Sequence, residues 1–132
     1  MELTEFIRPG MTSEETFLVE ETHLATHVGS GAARVLATPW MIAFMEGVSH
    51  RLLAKYLPAG YSSVGVHVDV HHLAPTPLGC SVRIRTEVRE VRGFRVTFSI
   101  QAWDDQEQVG DGLHERVVID EARFLKRVKA KR

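Results

Sequence analysis

The sequence predicts an α+β fold, in which one long helix packs against a curved antiparallel sheet. One segment has apolar residues at helical spacing, and four later segments read as strands, three of which alternate apolar and polar residues as half-buried strands do. The links between these strands are short, which favours antiparallel neighbours. Each strand has a single apolar face, and the helix is the element available to cover it.

The chain opens with a predicted first strand at residues 16–22, with Phe17 and Val19 on one face. The segment that follows contains Gly29, Ser30 and Gly31, which interrupt any regular pattern. We expect a loop there that lies across a pocket.

The predicted helix covers residues 41–55. Thr38-Pro39 precedes it and provides a threonine that can accept free backbone N–H groups and a proline suited to the first turn. Pro58-Ala59-Gly60 ends it. The apolar residues at helical spacing are Met41, Phe44, Met45, Val48, Leu52 and Leu53.

The four later strands are predicted at residues 62–72, 80–91, 94–103 and 108–120. Strict alternation places the valines of the first of these on one face. The residues expected to face the helix are Val66, Val68, Ile84, Val96 and Phe98. This order of elements is typical of the hotdog fold, in a single domain spanning residues 1–132. The sheet has two edges that need partners, and pairing with a second copy of the chain is one solution, so we expect a homodimer or a larger assembly.

The composition narrows the possible partners. The net charge is −1, with 44% hydrophobic and 25% charged residues, so no general field attracts nucleic acid or an anionic membrane. The basic tail has no aromatic platform beyond Phe124 and is expected to be a solvated helix end. The N-terminus has no apolar segment typical of a signal peptide. With a single cysteine, Cys80, the chain is expected to be cytoplasmic.

Two ionisable residues are candidates for chemistry. Glu46 lies in the middle of the helix beside its packed face, where a buried carboxylate needs a partner, although it could point to water instead. His72 lies on the same face of its strand as the valines, which is expected to face the helix. Its ring could act there as a base or pair with a carboxylate. Arg116 could neutralise Glu46, bind an anion or be a solvated strand charge. Gly47 is unusual in mid-helix, and it is either required by the close approach of a ligand or backbone or simply tolerated there.

A second polar cluster lies on the same strand as His72. His67, Asp69 and His71 share a face, but same-face neighbours stand roughly 7 Å apart on a straight strand, so two could chelate an ion and three could not. We therefore predict no metal site, and a solvated or dimer-contacting face. Cys80 is expected to be inert filler rather than a nucleophile.

Three segments, ATPWMIAFMEG, VGVHVDVHHLAPTPLG and GDGLHERVVI, resemble the thioesterase family typified by bacterial fluoroacetyl-CoA thioesterase. The resemblance covers the chain from the first strand to the tail, and the separations between the segments match. It implies hydrolysis of a small or medium acyl-CoA, with no cofactor other than the coenzyme A of the substrate, at a site between two subunits. Thr38, Glu46 and His72 match the family's catalytic residues, while Gly65 and Arg116 match its glycine and arginine near the acyl group.

Two features qualify what the resemblance implies. The fluoroacetyl-specific enzyme has a longer, aromatic-rich lid before its threonine, whereas ATHVGSGAARVLAT has no phenylalanine, so a short-chain or aromatic acyl-CoA is the expected substrate. Thr38 and Glu46 are also about 12 Å apart along a regular helix. Either Thr38 lies in a loop that folds back, or the site uses two protomers.

A non-catalytic acyl-CoA-binding or regulatory protein is the alternative function.

Overall fold

The computed structural model describes all residues from Met1 to Arg132 and contains one five-stranded antiparallel sheet. The sheet order is β1-β3-β4-β5-β2, so β1 and β2 are the edges. The strands are β1 Thr12–Leu18, β2 Tyr61–His72, β3 Ser81–Arg92, β4 Arg95–Trp103 and β5 Gln108–Asp120. The helices are α1 Ala25–Val28, α2 Thr38–Tyr56 and α3 Glu121–Lys129, with 3-10 turns at Leu3–Glu5 and Glu21–His23. The prediction of an α+β fold with one long helix against an antiparallel sheet is confirmed.

Helix α2 lies against the inner face of the sheet and contacts β1, β2, β3 and β5. Its buried face consists of the predicted apolar residues together with Ser49. The helix begins at Thr38, with Ala37 in the capping position, and no side chain caps the helix start. The interpretation of Thr38 as the cap was therefore wrong, and its hydroxyl is free for another partner.

The predicted core positions on the central strands are confirmed, because Ile84, Val96 and Phe98 have no exposed surface. On β2 the prediction was wrong for Val66, which is 46% exposed. Val68 lies on the helix side of the strand as predicted, although it is 39% exposed.

A β-bulge explains the error on β2. The strand pairs with β5 in register up to Gly65 opposite Arg116, and pairing resumes at His67 opposite Glu115, so Val66 is an extra residue. An extra residue resets the alternation of side chains along the strand. Ser63 and Gly65 therefore face the helix before the bulge, and Val68 and His72 face that side after it. Val68 remains exposed because it lies on the edge strand.

The first strand differs from the expectation in its bounds, whereas the basic tail is an exposed helix end as expected. Strand β1 begins at Thr12, four residues earlier than predicted, and ends at Leu18. The ring of Phe17 stacks on that of Phe44, with centroids 4.2 Å apart, which fixes β1 against α2. The basic tail forms α3, capped by the Asp120 side chain. None of the helices is both long and apolar enough to cross a membrane.

Candidate active site

One part of the site joins the start of α2 to the end of β2. The hydroxyl Oγ1 of Thr38 lies 2.7 Å from Nδ1 of His72, within hydrogen-bond distance. Thr38 is the first residue of α2, and His72 is the last residue of β2. Two of the predicted site residues are thus brought together by the packing of helix on sheet.

The other ring nitrogen of His72 has no partner. Its Nε2 is buried and has no hydrogen-bond partner. Burial lowers the pKa of His72, so the neutral ring is favoured. Buried polar atoms without partners are uncommon in folded proteins and often occur at functional sites.

A cavity of about 330 Å³ lies beside this pair. Thr38 and His72 line it, with the segment after α1 on the other side. The remaining lining residues are small or apolar: Ala25, Ser30, Val35, Leu36, Ala37, Leu73, Ala74 and Pro75. The loop segment expected to lie across a pocket therefore does border one.

Glu46 lies in the second part of the site, over β2. An added Cβ at Gly65 would lie only 2.5 Å from Oε2 of Glu46, so the absence of a side chain at Gly65 makes room for the carboxylate. The Glu46 side chain is 41% exposed, so it is packed on one side and reachable from solvent on the other. The alternative that Glu46 points only to water is excluded by this contact.

Arg116 supplies the positive charge next to Glu46. Its Nη1 lies 3.6 Å from Oε2 of Glu46, and its side chain is only 8% exposed. Burial lowers the pKa of Arg116, while Glu46 opposes the change, and an arginine remains charged under these conditions. Of the roles considered for Arg116, a solvated strand charge is excluded.

Ser63 and His114 hold Arg116 in place. Arg116 donates from Nε to the Ser63 hydroxyl over 2.9 Å and from Nη2 to the Ser63 carbonyl over 3.1 Å. Its Nη1 lies 3.1 Å from Nε2 of His114. Ser63 also lies within hydrogen-bond distance of His50, with Oγ 3.1 Å from Nδ1. The guanidinium beside Glu46 is therefore held by Ser63 on one side and by His114 on the other.

The sequence reasoning missed Ser63 and His114. The signal that could have found His114 is its position two residues before Arg116 and four before Val118, which places three residues of β5 on one inward face. No comparable signal marks Ser63, because its contact with Arg116 depends on the pairing of β2 with β5.

The two parts of the site are far apart within one chain. Gly65 marks the position of Glu46 on β2, and His72 lies seven positions further along, which corresponds to roughly 20 Å along a strand. Thr38 belongs to the regular helix, so the alternative in which it lies in a loop that folds back is excluded.

Gly47 has an explanation within the chain. An added Cβ there would lie 2.8 Å from a guanidinium nitrogen of Arg51, so the Arg51 side chain lies across the glycine. From that position Arg51 donates from Nε to Glu15 of β1 over 2.8 Å. The glycine thus accommodates a side chain of its own helix rather than a ligand.

The remaining polar candidates lie elsewhere. His67, Asp69 and His71 face the outer side of the sheet, where Nδ1 of His71 lies 3.3 Å from Oδ1 of Asp111. No group of three histidine, cysteine or acidic side chains is arranged to hold a metal ion. Cys80 is free and half-buried, outside both parts of the site.

Similarity to known proteins identifies the family. The family model of fluoroacetyl-CoA-specific thioesterase matches residues 19–122. A fluoroacetyl-CoA thioesterase from Streptantibioticus cattleyicolor is 38% identical over 97 residues, which cover 74% of this chain and 70% of that protein. This chain belongs to the fluoroacetyl-CoA-specific thioesterase family.

Solved structures agree with membership of the fluoroacetyl-CoA-specific thioesterase family. A point mutant of the thioesterase FlK in complex with fluoroacetate and CoA superposes with a TM-score of 0.82 at 32% identity, covering 89% of this chain and 99% of that one. A hot-dog-like protein from Thermanaerovibrio acidaminovorans superposes with a TM-score of 0.91 at 31% identity, covering 99% and 97%. The hotdog fold predicted from the order of elements is confirmed.

Proposed function

We propose that this chain is a thioesterase that hydrolyses small or medium acyl-CoA thioesters to the free acid and CoA. The observation that carries the proposal is the Glu46 carboxylate, which is half-exposed above Gly65 and lies beside the buried cation of Arg116. A carboxylate in this position can act on a carbonyl carbon while remaining open to substrate. Membership of a thioesterase family supports the assignment.

The reaction adds water across the thioester. Glu46 either removes a proton from the attacking water or attacks the carbonyl carbon itself and is released by water in a second step. In both cases the carbon–sulfur bond breaks, the carbonyl carbon gains one oxygen from water, and the CoA sulfur leaves with a proton. The products are a carboxylic acid and the CoA thiol, and no further cofactor is needed.

His72 is proposed to move the proton in this reaction. Its Nδ1 is held by Thr38, and its Nε2 is unpartnered. A histidine held at one nitrogen and free at the other can exchange a proton with a substrate atom.

We further propose that each site is completed by a second copy of the chain. The edge strand β2 exposes Val66 and Val68, and an apolar edge strand is a ready template for pairing. Antiparallel pairing of two β2 strands about a two-fold axis between Val68 and Asp69 would place Gly65 opposite the partner's His72. Glu46 of one protomer and the partner's His72 would then face the same thioester.

The remaining expectations stand as parts of the same proposal. The chain is one hotdog thioesterase domain over residues 1–132, which acts in the cytoplasm. Its partners are acyl-CoA and a second copy of itself, not nucleic acid or a membrane. The mostly apolar side chains around the 330 Å³ cavity suit a short-chain or aromatic acyl group.

A thiol-release assay over a panel of acyl-CoA thioesters tests the function. We expect turnover of at least one short-chain or aromatic thioester, and a loss of at least about a hundredfold in Glu46→Gln. Glu14→Gln is the matched control, because it makes the same chemical change on the outer side of β1, where Glu14 pairs with Arg83.

The alternative, an acyl-CoA-binding protein without activity, gives a different result. It would bind the thioester by calorimetry and release no thiol with any member of the panel. Activity in Glu46→Gln within a few-fold of wild type would contradict the assignment of this carboxylate.

A further inference from the structure

His114 has an environment that defines which of its nitrogens carries the proton. Its Nδ1 lies 2.8 Å from the backbone carbonyl of His67, and a carbonyl oxygen can only accept. Its Nε2 lies 3.1 Å from Nη1 of Arg116, and a guanidinium can only donate. The ring is therefore neutral, with the proton on Nδ1 and the lone pair of Nε2 directed at Arg116.

The charge and packing around the ring favour the same state. The His114 side chain is 1% exposed and stacks on Phe98 of β4, with ring centroids 6.2 Å apart. Burial lowers the pKa of His114, and the nearby Arg116 lowers it further, whereas the His67 carbonyl and Glu46 act in the opposite direction. The geometry alone assigns the tautomer, and the environment agrees with it.

The position of Arg116 depends on this ring as well as on the two bonds to Ser63. The guanidinium Nη1 carries two N–H groups. One is used by His114, and Nη1 remains 3.6 Å from Oε2 of Glu46, outside the distance of a direct ionic hydrogen bond. His114 itself is 4.0 Å from the same oxygen, so it does not bond to Glu46.

On the basis of the function proposed above, we propose that His114 is a positioning residue. Its bond to Arg116 prevents the guanidinium from forming a tight ion pair with Glu46. Arginine and carboxylate readily form two parallel hydrogen bonds when nothing prevents it. A carboxylate engaged in this way would have fewer lone pairs for water or the thioester. By taking one N–H of Arg116, His114 keeps the positive charge close to Glu46 and the carboxylate oxygens free.

The β-bulge of β2 contributes to this arrangement. Pairing with β5 shifts between Gly65 and His67, and the His67 carbonyl accepts the ring N–H of His114. The bulge thus places the carbonyl that fixes the tautomer of His114. In this tautomer Nε2 accepts a hydrogen bond from Arg116, which lies beside Glu46.

Two amide substitutions separate the two bonds of the ring. In His114→Asn the amide nitrogen can take the place of Nδ1 and keep the bond to the His67 carbonyl, but it cannot reach Arg116. In His114→Gln the longer side chain places its amide oxygen where Nε2 was, so that it accepts from Arg116. Both variants lose the stacking on Phe98, which makes them a matched pair.

We expect His114→Asn to lower kcat by about tenfold or more, with KM changed less than kcat, because a hydrogen bond to a charged group is lost. We expect His114→Gln to recover most of kcat, although thermal stability is reduced in both variants. Equal kcat values in the two variants would overturn the proposal, since a purely structural role depends on stability and not on the acceptor at Arg116.

A measurement that does not depend on turnover is the ¹⁵N NMR spectrum of the wild-type histidines. We expect the ring of His114 to show a protonated Nδ1 and an unprotonated Nε2 at neutral pH. The opposite tautomer or a doubly protonated ring would overturn the proposal. If the wild type cleaves no acyl-CoA, the proposed function has failed, and the spectrum still decides whether His114 accepts from Arg116.

Discussion

Thr38 and His72 form a 2.7 Å contact between the first residue of the long helix and the last residue of an edge strand. The two residues are 34 positions apart, and only the packing of α2 on the sheet brings them together. Because Thr38 does not cap its helix, its hydroxyl is available to orient the imidazole. The same contact leaves Nε2 of His72 as the ring nitrogen that is buried without a partner.

Removing the Thr38 hydroxyl should weaken this orientation. We expect Thr38→Ala to lower kcat by up to about tenfold, which is the range of one neutral hydrogen bond. Thr38→Ser keeps the hydroxyl and should retain activity within a few-fold of wild type. Steady-state thiol release measures both, and equal losses in the two variants would show that the hydroxyl is not what matters.

Gly65→Ala should disturb the Glu46 carboxylate directly. The new Cβ would lie 2.5 Å from Oε2 of Glu46, so the carboxylate must shift from its position. We expect a loss of activity of about tenfold or more, since small displacements of reacting groups have large kinetic effects.

Gly47→Ala is the matched control for that substitution. Its Cβ would meet only the end of the flexible Arg51 side chain, whose exposed pair with Glu15 contributes little. Alanine is favoured over glycine within a helix by up to about 1 kcal/mol, so stability should be unchanged or slightly higher. Activity should be retained, and a loss as large as that of Gly65→Ala would contradict the proposed placement of the carboxylate.

Mixing two inactive variants tests whether the site is shared. If Glu46 of one protomer acts with the partner's His72, then Glu46→Gln and His72→Ala homodimers are both inactive. A mixture that has exchanged subunits contains heterodimers with one intact site each. We expect recovery of about one quarter of wild-type activity after denaturation and refolding together, because half of the dimers are mixed and half of their sites are intact.

The outcome that contradicts a shared site is equally clear. A site contained within one chain would give no recovery in the mixture, since every chain carries one of the two lesions. Refolding each variant alone provides the baseline.

Three histidines should make folding stability depend on pH. Burial is the main cause that lowers the pKa of His50, His72 and His114 in the folded protein. In the unfolded chain they titrate near 6.5, so unfolding takes up protons once the pH falls below that value. Their contribution to the free energy of unfolding is therefore complete above about pH 6.5 and is lost as the pH falls towards their lowered pKa values.

Urea unfolding at a series of pH values measures this dependence. We expect His114→Gln to have a shallower loss of stability below pH 6.5 than the wild type, because one of the protons is no longer taken up. His27→Gln, at an exposed position, is the control and should follow the wild type. A wild-type free energy of unfolding that is constant from pH 7.5 to 5 would contradict the prediction.

The architecture was predictable from local patterns in the sequence. The apolar spacing of α2 located it within a few residues, and the last strand was predicted with the bounds that β5 has, Gln108–Asp120. Ile84, Val96 and Phe98 were assigned correctly, because β3 and β4 keep regular alternation at those positions. Alternation depends only on local geometry, so it can be recognised without knowledge of which strands pair.

The contacts of the site required the tertiary structure. Glu46 was recognised as unusual because a carboxylate in the middle of a packed helix is visible in sequence. Arg116 was recognised as one possible partner, but His114 and Ser63 were not, since all three come together through the pairing of β2 with β5 and the packing of α2. The bulge at Val66 is also a property of two strands together, so alternation on β2 alone placed Gly65 and His72 on opposite faces.

The extra residue at Val66 limits how the length of β2 can change. Gly65 and His72 are separated by an odd number of positions, and both face the helix only because one residue is excluded from the ladder. Deletion or insertion of a single residue between them would turn either Gly65 or His72 outward to solvent. The segment from Gly65 to His72 can therefore accept substitutions at Val66 and Val68, but its length has to stay the same, whichever acyl group the protein hydrolyses.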